Sequence, residues 1–348
     1  MLTGDLDRLL AAEIGAWRPP PAATAPPAWQ PAPPDSAPAP GTYATPVALR
    51  LADGDPRKSL RIAMTLAAAL RRAGWVRSAT VTGGYVTVTV TPDALARLAV
   101  RITAAGPACA RGTGLAGTTV PAPPDPDLAT APGWADARRR LAAFLTGRLA
   151  EAAGARTFPS FIDERLSVPG HRPAQPTGPV AAAVSFAGAG PVRYALARLP
   201  PGAPARVDPC HAAARRLDVP AYAVRYAHAH AASSLRQAAD LGLSLGEAAE
   251  FGPRLLAHPS EQALLDELSW LAERVAGAAR RARPDAFPRY LERLAGAYFD
   301  CQERCPAVWP GMKAAGPTIV ARFWLAAATA TALRAGLDLL GVDTPDRL

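Results

Sequence analysis

The residues with chemistry to offer cluster in one stretch, Asp218 to Leu241. Pro220 suits the first turn of a helix and nothing helix-breaking follows until Gly242, so the spacing predicts one helix here. At 100° per residue, Tyr222, Arg225, Tyr226, His230, Ser233, Arg236 and Gln237 fall on one side, and Val224, Ala227, Ala231, Leu235 and Ala238 on the other. The apolar side is small enough for a neighbouring helix to approach closely. The polar side offers ring planes for stacking and forked donors for phosphate, which is what an unpaired RNA loop needs. The same spacing also suits half-buried tyrosines packing beside a solvated arginine face. His228 lies on the flank of the apolar side and reads as a structural histidine, neither acid nor base.

Little else points to catalysis. No His-x-x-His occurs, and the four cysteines, Cys109, Cys210, Cys301 and Cys305, show neither a Cys-x-x-Cys pair nor zinc spacing. Cys301 and Cys305 share a helical face and read as packing residues. No catalytic residue, cofactor or metal is therefore expected. The net charge of +9 suits an acidic partner, RNA or a membrane surface. Lys58 and Lys313 are the only lysines, so nearly all positive charge is arginine, the better residue for forked phosphate contacts. The excess concentrates in residues 41–104, with nine basic against three acidic residues. No apolar run reaches the roughly 18 residues that cross a bilayer, and no basic segment followed by an apolar stretch opens the chain. A cytoplasmic protein with no membrane partner is expected.

Two stretches carry a resemblance. Tyr222-Ala-Val-Arg-Tyr226-Ala-His228-Ala-His230 resembles the Tyr-Val-Gln-Tyr-Ala-His-Ala-Arg segment that opens the DALR-type anticodon-binding domain of arginyl-tRNA synthetases. The final Leu-Leu-Gly341-Val-Asp-Thr-Pro345-Asp-Arg347-Leu348 resembles that family's closing Leu-Leu-Gly-Val and Pro-Glu-Arg-Met. Between them, Tyr290-Leu-Glu-Arg-Leu-Ala295-Gly-Ala-Tyr298-Phe299 is similar to Tyr-Leu-x-x-Leu-Ala-x-x-Phe-His, and Gly188 to Leu199, with Arg193 and Tyr194, to the helix that joins catalytic and anticodon domains. The chain departs at Arg225, His230 and Leu348, and Gln302-Glu303-Arg304 replaces Tyr-Asn-x, so arginine-anticodon specificity does not follow. The resemblance implies an RNA surface comprising Tyr222, Arg225, Tyr226, His230, Arg236, Tyr290, Tyr298, Arg304, Trp309, Lys313 and Arg347. Trp309 beside Lys313 fits a stacking site or a plug of the bundle equally well.

Stepping outward from that surface, the predicted fold class is mainly α, with a small α+β N-terminal module and a C-terminal helical bundle of the class I synthetase anticodon-binding type. Residues 1–40 read as an amphipathic helix, Leu2 to Trp17, that frays or docks weakly, followed by a Pro-rich linker. Residues 41–104 read as helix, hairpin about Gly83-Gly84, and helix, with Leu60, Met64, Leu66, Ala67 and Leu70 as the apolar rhythm of the first helix. This unit is similar to the family's N-terminal additional domain, which implies that Arg57, Arg61, Arg71, Arg72 and Arg77 face the tRNA elbow. Residues 105–185 resemble a shrunken nucleotide-binding domain: a strand near Thr118 to Val120, a helix from Trp134 to Ala153, and Thr130-Ala-Pro-Gly-Trp134 where the family has His-x-Gly-His. Neither lysine sits in a Lys-Met-Ser-Lys context, and Gly154 to Phe186 is too short for the rest of a catalytic domain. Residues 186–348 form the bundle, with helices near 218–241, 261–283, 288–305 and 318–340.

The expectation is a non-catalytic tRNA-binding protein, with a synthetase or other translation protein as a further partner. The alternatives are a protein-interaction module using the same helical surface and an active arginine-tRNA ligase.

Overall fold

A computed structural model of the chain describes residues 2–17, 29–31, 39–160, 178–240, 242–243, 245–308 and 316–348. The N-terminal module runs α1 (Leu2–Trp17), β1 (Thr42–Thr45), α2 (Val47–Leu51), α3 (Pro56–Arg71), β2 (Val76–Thr82), β3 (Tyr85–Val90), α4 (Pro92–Ala96) and α5 (Leu98–Ala105). Asp55 starts α3 by accepting from the Arg57 and Lys58 amides at 2.9 and 3.2 Å, with Pro56 at the first helical position. Gly83 and Gly84, at φ +55° and +81°, make the tight turn of the β2–β3 hairpin. β3 is central in an antiparallel sheet of order β1-β3-β2.

Three expectations for this module change. β1 is a further strand, and all four of its residues are buried. Leu66, Ala67 and Leu70 are buried as expected, but Leu60 and Met64 are exposed, at 50% and 60%, because α3 turns Ser59, Ile62 and Ala63 inward beside them. Helix α1 is docked instead of fraying. Leu2, Leu6 and Leu10 are buried, and Asp5 pairs with Arg101 at 2.5 Å. The indole of the buried Trp29 also donates to Asp7 at 2.6 Å.

The middle unit is β4 (Thr119–Ala122), α6 (Trp134–Ala152) and β5 (Arg156–Pro159). The strands pair in parallel, Thr119 with Arg156 through Ala122 with Pro159, and α6 lies between them in sequence as the crossover helix. The helix packs against backbone, since a Cβ at Gly147 would lie 2.8 Å from the Pro121 carbonyl oxygen.

Helices α7 (Pro179–Ala187), α8 (Ala189–Ala197) and α9 (Pro209–Ala213) lead into α10 (Pro220–Asp240), α11 (Pro259–Ser269), α12 (Leu271–Arg280), α13 (Ala286–Arg304) and α14 (Pro317–Leu340). The stripe Leu264, Leu265, Leu268, Leu271 and Val275 is fully buried, but the helix that carries it breaks at Trp270. Trp270 is buried against Tyr43 at 5.0 Å and lies under Arg274, and so joins the bundle to β1. Helix α14 is the bundle's central helix, apolar on nearly every side and packed against α10 and α5. It is long and apolar enough to span a bilayer, unlike the sequence expectation, but 78% of the qualifying window is buried inside the protein. A main core extends from Leu2 to Val342, and a smaller cluster of Ala238, Ala307, Ile319 and Phe323 lies where the ends of α10 and α13 meet the start of α14.

Candidate nucleic-acid interface

The turn spacing of α10 stacks its rings. Tyr222 and Tyr226 lie 5.8 Å apart and 19° from parallel, and His230 continues the series 6.0 Å beyond Tyr226. Phe299 of α13 closes on Tyr226 from the side at 5.9 Å. All four are half-buried, so each is held by packing and still offers a surface. The His230 Nδ1 lies 2.9 Å from the Tyr298 hydroxyl, and burial pushes this imidazole below its ordinary pKa, towards the neutral ring. The opposite side of α10, with Val224, Ala227, Ala231 and Ala238, is buried.

The arginines on the polar side hold the C-terminal tail. Arg225 Nε donates to the Asp343 carbonyl at 3.2 Å, and Arg236 Nη2 to the Asp346 carbonyl at 2.9 Å. Each makes one such bond and leaves further guanidinium N–H groups for an incoming oxygen. Buried His228 pins the tail from the other flank, with Nδ1 3.0 Å from the Ala330 carbonyl and Nε2 3.2 Å from Asp346 Oδ1. Helix and tail bound an open cleft of about 600 Å³ whose walls include Tyr226, His230, Ser233, Arg236, Gln237 and Arg347. A wider groove of about 800 Å³ runs past Arg225 to Arg148 of α6. Stacking faces with a guanidinium rim can take single-stranded nucleic acid, the rings holding bases and the forks holding phosphates.

The structure brings Tyr222, Arg225, Tyr226, His230, Arg236 and Arg347 to this one surface. It removes Tyr290 and Tyr298 from it. Both are 0% exposed; Tyr290 donates its hydroxyl to the Glu267 carbonyl at 2.7 Å, and Tyr298 supports His230 from beneath. These rings are core, and no base can reach their faces. Arg304 is exposed at the end of α13, with no ion pair among the described residues. Trp309 and Lys313 lie outside the described residues.

In the N-terminal module, Arg57, Arg61 and Arg77 are exposed with no ion pair among the described residues, whereas Arg71 donates to the Ala79 carbonyl and Arg72 pairs with Glu13. Phe299 is the surface residue that the sequence reading missed. Its signal was its place one residue after Tyr298 in the motif, since adjacent helical residues cannot both face the core squarely. Among the described residues, no group of three or more His, Cys, Asp or Glu could hold a metal.

The chain is similar in sequence to known proteins over part of its length. Residues 224–348 match the family model of the DALR anticodon binding domain. The chain is 37% identical over 170 residues to an arginine–tRNA ligase of Micrococcus luteus, covering 47% of this chain and 30% of that protein. It is 34% identical over 201 residues to the Renibacterium salmoninarum enzyme, covering 56% and 35%. The matches thus span about a third of these curated relatives. Among solved structures, Thermus thermophilus arginyl-tRNA synthetase aligns over 100% of both chains with a TM-score of 0.66 at 14% identity, a likeness of fold. Residues 224–348 of the C-terminal bundle thus match the DALR anticodon binding domain, and about half of the chain is similar to arginine–tRNA ligases.

Proposed function

We propose that this chain is a cytoplasmic tRNA-binding protein without ligase activity, its bundle seated on the anticodon loop and its N-terminal module on the tRNA elbow. The observation that carries the reading is the ring series Tyr222, Tyr226 and His230, rimmed by Arg225 and Arg236, all but Tyr222 lying inside residues 224–348, the segment that matches the anticodon-binding domain. The exposed Arg57, Arg61 and Arg77, within residues 41–104 with their nine basic against three acidic residues, support the second contact.

The lack of ligase activity is supported by the sequence and by the middle unit. Adenylate formation needs groups that hold ATP phosphates and neutralise charge on the α-phosphate. The chain has no His-x-x-His, and neither lysine lies in a Lys-Met-Ser-Lys context. The described part of the middle unit is one βαβ turn. Its post-strand loop, where such folds bind ligands, is tied up by an ion pair between Asp125 and Arg193.

Binding to total tRNA and to an arginine-tRNA transcript across a salt series, with ATP–pyrophosphate exchange on the same sample, tests the reading. Tight, salt-sensitive binding without exchange is expected. Exchange activity would refute the non-catalytic part. Absence of binding at low salt would refute the RNA part and move the helical surface to a protein partner.

A further inference from the structure

A second cleft, of about 450 Å³, opens where α1 docks on α4 and α5, within the size range of small-ligand sites. Trp75, Arg97, Arg101, Arg8, Asp5 and Leu9 line it. Trp75 is half-buried, and its carbonyl accepts from the Thr91 amide at 2.9 Å, which fixes the backbone beneath the ring. Asp5 engages both Arg101, at 2.5 Å, and Arg8. Arg97 is exposed and carries no ion pair among the described residues. Three guanidinium groups against one carboxylate leave the cleft positive beside the half-buried Trp75 indole. That pairing fits a ligand with a planar aromatic part and a phosphate: the ring stacks on indole and the phosphate takes forked donors.

We propose that this cleft binds a nucleoside phosphate, with its base against Trp75 and its phosphate held by Arg97 and Arg8. The site is distinct from the anticodon face, and it stands whether or not that reading does. It is also remote from Gly84-Tyr85, where the resemblance to the synthetases' additional domain lies. Trp75 adjoins Val76, which pairs with Val90 at one end of the hairpin, while Tyr85 pairs with Thr82 at the other. Helix α1, which forms one wall, precedes the segment that resembles that domain.

The ligand's source is either a free nucleotide or a nucleotide in an RNA chain, and the test separates them. The full-length chain is titrated calorimetrically with AMP, UMP, adenosine and a 5′-phosphorylated RNA trinucleotide. Saturable AMP binding is expected, with adenosine at least tenfold weaker for want of the phosphate. Trp75→Ala should weaken AMP roughly tenfold or more, and Arg97→Glu should abolish binding. Binding of the trinucleotide but not of AMP, with the same dependence on Trp75 and Arg97, assigns the site to RNA. Arg97 is exposed, so Arg97→Glu remains informative if Trp75→Ala fails to fold. The proposal is overturned if AMP and adenosine bind equally, or if neither phosphate ligand binds at millimolar concentration. It is equally overturned if a glutamate-rich peptide competes as well as AMP, or if Arg97→Glu binds AMP like the parent.

Discussion

Tyr226 is the middle rung of the ring series, 5.8 Å from Tyr222, 6.0 Å from His230 and 5.9 Å from Phe299, so Tyr226→Ala opens the series at its centre. A base stacked on one aromatic side chain contributes about 1–3 kcal/mol, so the variant should raise the Kd for tRNA from roughly 5-fold to roughly 150-fold. No charge is removed, so the slope of log K against log salt should stay where it was. Arg236→Ala should behave differently. It removes a phosphate donor, and the slope should fall by about 0.7 for a single-stranded contact. Tyr226→Phe keeps the ring and loses a hydroxyl that makes no hydrogen bond among the described residues, so it should bind nearly like the parent. The assay is a filter-binding or fluorescence titration at several salt concentrations, with thermal melts of each variant to confirm folding. A folded Tyr226→Ala chain with unchanged Kd would refute the assignment of this face. So would a Tyr226→Phe chain as weak as the alanine variant, since loss of the ring would then not be the cause.

Glu261 is 1% exposed and bonds Arg322 Nε at 2.8 Å and its own helix cap, the His258 amide, at 2.9 Å, so Glu261→Ala strands a cation; a loss of about 3 kcal/mol or more is expected in denaturant unfolding. Gly341 closes α14 at φ +68°, with a would-be Cβ 2.9 Å from Arg193 Nε; Gly341→Ala should cost about 1–3 kcal/mol by the same measurement. Burial pushes Asp7 and Asp266 up to about 6 and Glu273 to about 7, from ordinary values of 3.8, 3.8 and 4.5. The folded chain therefore holds protons that the unfolded chain has lost, and the stability these groups contribute, present below pH 4, is lost as pH rises through 6 to 7. The melting temperature should fall between pH 5 and pH 8, and Glu273→Gln should flatten the upper part of that fall; a rising profile would contradict the burial of these carboxyls.

What the sequence made legible was local. The ring face of α10, the hairpin at Gly83-Gly84 and the stripe from Leu264 to Val275 are each fixed by the period of one element, and a single period can be read without knowing its neighbours. What it hid was relational. β1, Thr-Tyr-Ala-Thr, has no alternation to announce it, because its burial comes from β3 on one side and Trp270, more than 200 residues away, on the other. Tyr290 and Tyr298 carried polar tips that suit a surface, yet their hydroxyls find the Glu267 carbonyl and His230 inside the core. A satisfied buried tyrosine and an exposed one look the same in one dimension. Leu60 and Met64 show the converse. Leu66, Ala67 and Leu70 are buried as the pattern predicts, but it places Leu60 and Met64 on the same face because the small residues Ser59 and Ala63, which are buried in their place, weigh little in any apolar pattern.

Arg193 shows how the middle unit is joined to the bundle. Its Nε donates to the Leu340 carbonyl at 2.8 Å, satisfying the end of α14, and its guanidinium lies 5.3 Å over the Phe144 ring of α6 and pairs with Asp125 after β4. One buried side chain thus ties the βαβ unit to the residue from which the tail departs. That tail, from Val342 onward, is what Arg225, His228 and Arg236 hold against α10 to form the cleft. A guanidinium is suited to this position because a lysine could not bond a carbonyl, stack on a ring and face a carboxylate in three directions at once. The loop after β4 is thus tied to the end of α14 and braces the bundle, and on the proposed reading the shape of the cleft rests on it through the tail.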